Sequence, residues 1–301
     1  MEFIKNIVIS FTMPLLYITS FRNFLMSYCF LGTRANSSNF FAKLCRFIFW
    51  ANYQSFPQKG KIEVQQFMMG GNLGAEWAEY YQSNWTLDNF PPPIGTLKIG
   101  DLDYREACPF FNFIEEILRD AKERFLCIQL GASSGKEIAY FANNFPGHDF
   151  LYTDIYTDVT NKAIDRYSEI TGLKFCTCSG VEIASNINGA RNVIIFSHGS
   201  AQYLLPEDIK LFFESFSNIT FNKIYIVICE PVSSKNIDPM NFEGSYFRGN
   251  FSYTHNYSWY ATSANFKTII LKNIKPYADT HRFPMHKHTS HVFGCFLKDI
   301  R

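Results

Sequence analysis

From about residue 105 onward, short continuous apolar runs alternate with stretches in which apolar residues recur at helical spacing. Arg105 to Arg124 places Phe110, Phe113, Ile114, Ile117, Leu118 and Ala121 on one face and predicts a helix. Phe125 to Leu130 predicts a buried strand, Gly131 to Gly135 a turn, and Lys136 to Asn144 a second helix that Pro146-Gly147 stops. Phe150 to Thr153 predicts a strand ending in Asp154, and Asp158 to Thr171 a helix closed by Gly172. Lys174 to Cys178 and Asn192 to Ser197 predict two more strands, with a short helical stretch at Val181 to Ile187 between them. Pro206 opens a helix with Glu207 and Asp208 in its first turn, where the helix dipole favours acids. Lys223 to Cys229, Phe266 to Leu271 and His291 to Leu297 complete the strands. Apolar strands separated by helices predict an α/β fold: a doubly wound, mostly parallel seven-stranded sheet covered on both faces. Its last two strands form a terminal hairpin with one antiparallel member.

The first sixty residues follow another pattern. Asn6 to Phe21 and Asn23 to Thr33 carry no charge, and Arg22 separates them. Ile4, Ile7, Val8, Phe11, Leu15, Ile18, Phe21, Leu25 and Tyr28 fall near helical spacing. Neither half reaches the roughly 20 apolar residues of a spanning helix, Pro14 would kink a helix, and no small-residue cleavage site follows. The sequence leaves three readings: helices packed on the main domain or another subunit, a membrane-surface helix pair anchored by Lys5, Arg22, Arg34, Lys43 and Arg46, or a span or signal. Residues 51–62 read as a linker. The expected organisation is a hydrophobic helical N-terminal extension over 1–60, a lid or connecting segment over 61–104, and the main domain over 105–301. In the middle segment, Phe67 to Tyr81 reads as a glycine turn into an aromatic helix, and Pro91-Pro92-Pro93 as an extended spacer.

Composition narrows the function classes. At 301 residues and 47% hydrophobic, the chain has too much apolar material for disorder. A net charge of +1 lacks the basic excess of a phosphate-led nucleic-acid binder, so no nucleic-acid partner is expected. The cysteines lie mostly within apolar runs and form no CxxC pair, which implies a reducing, cytoplasmic setting without a disulfide framework. His281, His286, His288 and His291 cluster with only Asp279 for company; they read as a hairpin connection, and no metal site is expected.

The glycine turn Gly131-Ala132-Ser133-Ser134-Gly135-Lys136-Glu137 carries the functional argument. A phosphate-cradling P-loop needs GxxxxGK[ST], and the dinucleotide fingerprint needs GxGxxG; this turn matches neither. Small residues at positions one, three and five, Gly131, Ser133 and Gly135, do fit a third pattern. It resembles motif I of the class I S-adenosylmethionine (SAM) dependent methyltransferases, and the resemblance covers about residues 105–301. Asp154, about twenty residues downstream at the end of the next strand, matches the acid that binds the ribose in that family. The resemblance implies a Rossmann-like methyltransferase fold, SAM as cofactor, and cofactor contacts at Gly131, Ala132, Ser133, Gly135, Asp154, Ser179, Val181 and Ser197. Ser133 stands where the family usually has glycine, and the usual acid after the third strand is absent. No Asn-Pro-Pro follows the fourth strand, which argues against amino-group methylation of DNA.

Methyl transfer aligns an acceptor with an activated donor and, for a hydroxyl, removes its proton. His255 and His198 are the candidate bases. Glu230, Arg248, Tyr253 and Tyr257 are candidate substrate contacts, because the aromatic and hydrogen-bonding stretch from Gly249 to Tyr260 suits a ring-shaped polar acceptor. The expected activity is O-methylation of a small molecule or a sugar or glycan precursor. The rivals are a non-catalytic scaffold of the same fold and a nicotinamide-dependent oxidoreductase, against which the missing GxGxxG counts. The N-terminal extension adds the alternative of a peripheral position on the inner face of a membrane, as part of a membrane-bound pathway.

Overall fold

The computed structural model describes residues 12, 14–16, 18–30, 39–53, 98–99, 102–187, 189, 192–216, 219, 222–233, 240–249, 252–274 and 289–299. The segment Phe67 to Tyr81, the three prolines and the cluster His281, His286 and His288 lie outside the described residues. The chain divides into two compact units, residues 1–85 and 86–301.

Among the described residues of the first unit, the helices α1 (Thr19–Phe30) and α2 (Phe40–Tyr53) pack on one another. Leu25 and Met26 of α1 and Ala42, Cys45 and Phe49 of α2 are buried. Asn39 accepts the amide of Ala42 at 2.7 Å and so caps the start of α2. Among the described residues no helix is long and apolar enough to cross a membrane.

The second unit opens with β1 (Lys98–Ile99), β2 (Leu102–Asp103) and α3 (Tyr104–Ala107). It continues through α4 (Phe110–Asp120), β3 (Phe125–Leu130), α5 (Lys136–Asn144), β4 (Asp149–Asp154), α6 (Thr157–Tyr167) and β5 (Leu173–Thr177). A 3-10 turn at Gly180–Asn186 leads to β6 (Asn192–His198), and a second at Ala201–Tyr203 leads to α7 (Pro206–Ser215) and β7 (Lys223–Ser233). The hairpin β8 (Ser245–Gly249) and β9 (Ser252–His255), then α8 (Tyr257–Ser263), β10 (Lys267–Ile274) and β11 (Thr289–Asp299) complete it.

The large sheet has seven strands in the order β10-β11-β7-β6-β3-β4-β5. The five strands β7, β6, β3, β4 and β5 are mutually parallel, and β11 runs antiparallel to both β7 and β10. This is the doubly wound sheet with one antiparallel member that the hydrophobic pattern predicts. Two cores cover its faces, sorted by strand periodicity. Ile128 and Leu130, Val193 and Ile195, and Ile224, Ile226 and Ile228 face one core, together with Phe212 and Phe213 of α7. Cys127, Ile194, Phe196, Val227 and Cys229 face the other, together with Phe110, Phe111 and Ile114 of α4 and Phe141 of α5.

One expectation needs correction. The helix predicted over 105–124 is two helices: α3 stops at Ala107 and α4 begins after Pro109. Proline is tolerated at a helix start, where its missing amide has no partner to lose, and not in the interior. The stretch from Gly249 to Tyr260 falls within an ordered hairpin and helix, β8, β9 and α8, packed beside the turn that follows β6.

Candidate active site

β3 and β6 are neighbours at the centre of the sheet, and their crossovers leave in opposite directions, through α5 to β4 and through α7 to β7. Outside the carboxyl ends of such a pair the chain opens a crevice, and ligands of doubly wound sheets bind there.

The glycine turn lies at the end of β3. Gly131, Ser133 and Gly135 adopt φ of 62, 47 and 73°. A side chain is disfavoured at positive φ by about 1–2 kcal/mol, and Ser133 is held there from two sides. Its amide donates to Asp154 Oδ2 at 3.0 Å, and its carbonyl accepts the Tyr152 hydroxyl at 2.8 Å. A Cβ at Gly131 would lie 2.7 Å from the Ser200 side chain, whose hydroxyl donates to the Gly131 carbonyl at 2.9 Å. At Gly135 a Cβ would meet the Tyr167 ring at 3.1 Å. Ala132 is buried, and its amide donates to the Thr153 carbonyl at 2.8 Å.

Asp154 ends β4 with its carboxylate buried. Its Oδ1 accepts the Tyr156 amide at 3.1 Å. Burial pushes the carboxyl pKa up, and the amides of Tyr156, Ser133 and Ile155 pull part of that shift back. Ile155 beside it exposes an aliphatic side chain. After β5, Ser179 caps the 3-10 turn: its amide and hydroxyl both donate to Glu182 Oε2 at 2.8 Å, and these bonds hold the Glu182 carboxyl below its ordinary range. Val181 is half-buried in that turn.

The end of β6 is organised by carboxylates. Glu230, fully buried in β7, accepts the Ser197 hydroxyl at 2.5 Å and the amides of Ser200, Ala201 and Gln202 at 3.0, 3.0 and 3.2 Å. It therefore holds the turn after β6, and burial raises its pKa against the pull of those donors. His198 Nδ1 lies 2.7 Å from Glu137 Oε1, with both side chains only 11% exposed. Glu137 Oε2 in turn accepts a very short hydrogen bond from the Gln129 amide nitrogen, and Gln129 Oε1 accepts the Ile138 amide at 3.1 Å. His198 Nε2 lies 3.6 Å from Cys108 Sγ, and the ring packs on Phe110. Burial alone would lower the imidazole pKa. The charge and hydrogen bond of Glu137, with smaller contributions from Cys229 and Glu230, outweigh burial and raise the pKa to about 9.

The structure brings Asp154 at the end of β4 against the glycine turn through Ser133, and brings Ser197 and Glu230 together across β6 and β7 with His198 beside them. His255 stands apart. It is fully buried, its Nδ1 lies 2.6 Å from the Ser245 hydroxyl, and it stacks on Tyr253 and meets Tyr257 edge-on. Tyr253 and Tyr257 are buried with it, and Arg248 lies in β8. Sequence reasoning did not single out Gln129, Glu137 or Cys108. A signal for Gln129 exists: it is the polar residue in an otherwise apolar strand, and a buried polar side chain needs a buried partner.

No protein-family model and no curated protein matches the chain. Among the solved structures that resemble it, three are similar at 11–14% identity. One is the 1,6-didemethyltoxoflavin-N1-methyltransferase of Burkholderia thailandensis with 1,6-didemethyltoxoflavin and S-adenosylhomocysteine (14% identity, TM-score 0.46, covering 64% of this chain and 78% of that one). Another is the geranyl diphosphate C-methyltransferase of Streptomyces coelicolor with Mg2+, geranyl diphosphate and S-adenosylhomocysteine (11%, TM-score 0.48, 73% and 95%). A third is a phosphoethanolamine N-methyltransferase of Haemonchus contortus with phosphomonomethylethanolamine and S-adenosylhomocysteine (12%, TM-score 0.47, 64% and 52%). By its own strand order, its lone antiparallel strand and the glycine turn after its central strand, this chain has the Rossmann-like methyltransferase fold.

Proposed function

We propose that this chain is a SAM-dependent methyltransferase acting on an oxygen of a small-molecule or sugar acceptor. One observation carries the reading: at the switch point of the sheet, the Asp154 carboxylate is fastened to the Ser133 amide inside a positive-φ glycine turn. The residues there suit the proposed ligand. The hydrogen bonds of the Asp154 carboxylate run to main-chain amides, and a carboxylate oxygen accepts more than one hydrogen bond, so it can also receive ribose hydroxyls. Gly131, Ala132, Ser133 and Gly135 form the turn at the end of β3, and Ile155, Ser179 and Val181 lie just past the ends of β4 and β5, as candidate contacts for the nucleoside. When bound, SAM supplies a methyl group already activated by its sulfonium centre.

The remaining work falls to the protein: holding the acceptor in line and taking its proton. Of the two candidate histidines, His198 is the better placed. It ends β6 at the switch point, and a carboxylate orients its Nδ1 as a general base is commonly oriented. Its Nε2 lies 3.6 Å from Cys108 Sγ, so taking the acceptor proton requires that contact to give way. Ser197 and Glu230 serve by fixing the turn beside it. We assign His255, with Tyr253 and Tyr257, to shaping the acceptor wall from within, and Arg248 of β8 is a further candidate acceptor contact. The aromatic and hydroxyl-bearing composition of Ser245 to Ser263 supports an acceptor that has a ring and hydroxyls.

Equilibrium binding of SAM to the full chain tests the cofactor site. Asp154→Asn and Gly131→Ala should each weaken binding by about tenfold or more, because one removes a charge-assisted acceptor and the other drives a methyl into Ser200. Wild-type affinity in both variants would contradict the assignment. Mass spectrometry of the methylated product separates an ether from an amine and tests the choice of oxygen.

A further inference from the structure

We propose that the N-terminal helix pair docks on an anionic lipid surface, lying along it rather than crossing it. This goes beyond methyl transfer and does not rest on it.

α2 has two apolar faces. Ala42, Cys45 and Phe49 are buried, and on the other side Phe40, Phe41, Leu44 and Phe47 are 81, 52, 40 and 45% exposed. At about 100° per residue these four span an arc of about 120°, a stripe as wide as a core-facing one. α1 extends it: Phe24 is 41% exposed and its ring meets that of Phe41 edge-on at 6.3 Å, and Ile18 just before α1 is 52% exposed. An exposed aromatic stripe of this kind marks an interaction site.

Charge identifies the occupant. Residues 1–62 carry seven basic side chains, Lys5, Arg22, Arg34, Lys43, Arg46, Lys59 and Lys61, against the single acid Glu2, a net +6. The whole chain is +1, so residues 63–301 carry −5. Lys43 is exposed on the flank of the apolar stripe, and Arg46 is half-exposed farther round the helix. An apolar aromatic face bordered by cations, without acids, complements an anionic lipid headgroup layer over an acyl boundary. A second copy of this face would bring like charge against like charge. With 14 residues, α2 is about 21 Å long, short of the roughly 30 Å hydrocarbon core, so the helix lies in the interface plane.

The test is vesicle flotation of the full chain. Vesicles with about 30% phosphatidylserine should carry the protein, and pure phosphatidylcholine vesicles should bind about tenfold less or weaker, as should anionic vesicles at high salt. Lys43→Glu, and separately Phe40→Ser with Phe47→Ser, should each weaken binding to anionic vesicles by about tenfold. Thermal unfolding of the variants should match the wild type, since the substituted side chains are solvent-facing. Failure to float on anionic vesicles, or equal binding to both lipids, would overturn the proposal. So would a concentration-dependent dimer that the double Phe variant dissolves, because it would give the face to a second copy. SAM binding is unaffected by any of these outcomes, so failure here is distinct from failure of the methyltransferase reading.

Discussion

The His198–Glu137 pair ties pH to stability and to turnover with opposite signs. The imidazole ionises near 6.5 in the unfolded chain and near 9 in the folded one. A raised folded pKa gives stability that is fully present below about pH 6.5 and is lost as pH rises through about 9. The pair is largely buried, so the contribution is on the order of 3 kcal/mol. Urea unfolding of the wild type should weaken across that window, and His198→Gln should lose the dependence. If His198 takes the acceptor proton, it is cationic at neutral pH and the rate should climb towards pH 9 as it becomes neutral. A wild-type stability that stays flat from pH 6.5 to above 9 would contradict this account of the pair. At this scale, Asp154 and the glycine turn were legible because spacing alone defines them. Glu137 was not, because an acid in the first turn of a helix reads as an ordinary dipole partner.

At the scale of elements, the turn after β6 depends on a group in another strand. Glu230 is buried with four hydrogen-bond donors, three of them main-chain amides. Glu230→Ala would leave the Ser197 hydroxyl and the amides of Ser200 and Gln202 without this acceptor, while the Ala201 amide keeps Ser197 Oγ, and each unsatisfied buried group costs about 1–3 kcal/mol. Chemical denaturation should show a loss of about 3 kcal/mol or more, with Glu230→Gln retaining part of it. A loss under about 1 kcal/mol would mean that water or a neighbour replaces the carboxylate. The strands of the sheet were readable because their apolar runs are continuous and bounded by turn residues. The hairpin β8–β9 was not, because all four residues of β9 are buried and no polar alternation marks the strand. The sequence also concealed the break between α3 and α4, where apolar spacing continues across Cys108 and Pro109.

For the whole molecule, the proposed donor site lies at the switch point of the sheet, within residues 86–301, and the helix pair lies within residues 1–85. Apolar periodicity made the sheet class readable from the sequence; the acceptor was not readable, because no motif spacing in the chain defines one. The most direct measurement is thermal unfolding of the purified full chain with SAM, with S-adenosylhomocysteine and with NAD. A ligand at a hundred times its dissociation constant adds about 2.7 kcal/mol to the folded state. The predicted result is a clear rise in melting temperature with SAM and S-adenosylhomocysteine, none with NAD, and loss of the rise in Asp154→Ala. A folded protein that ignores SAM, or that responds to NAD alone, would contradict the central claim.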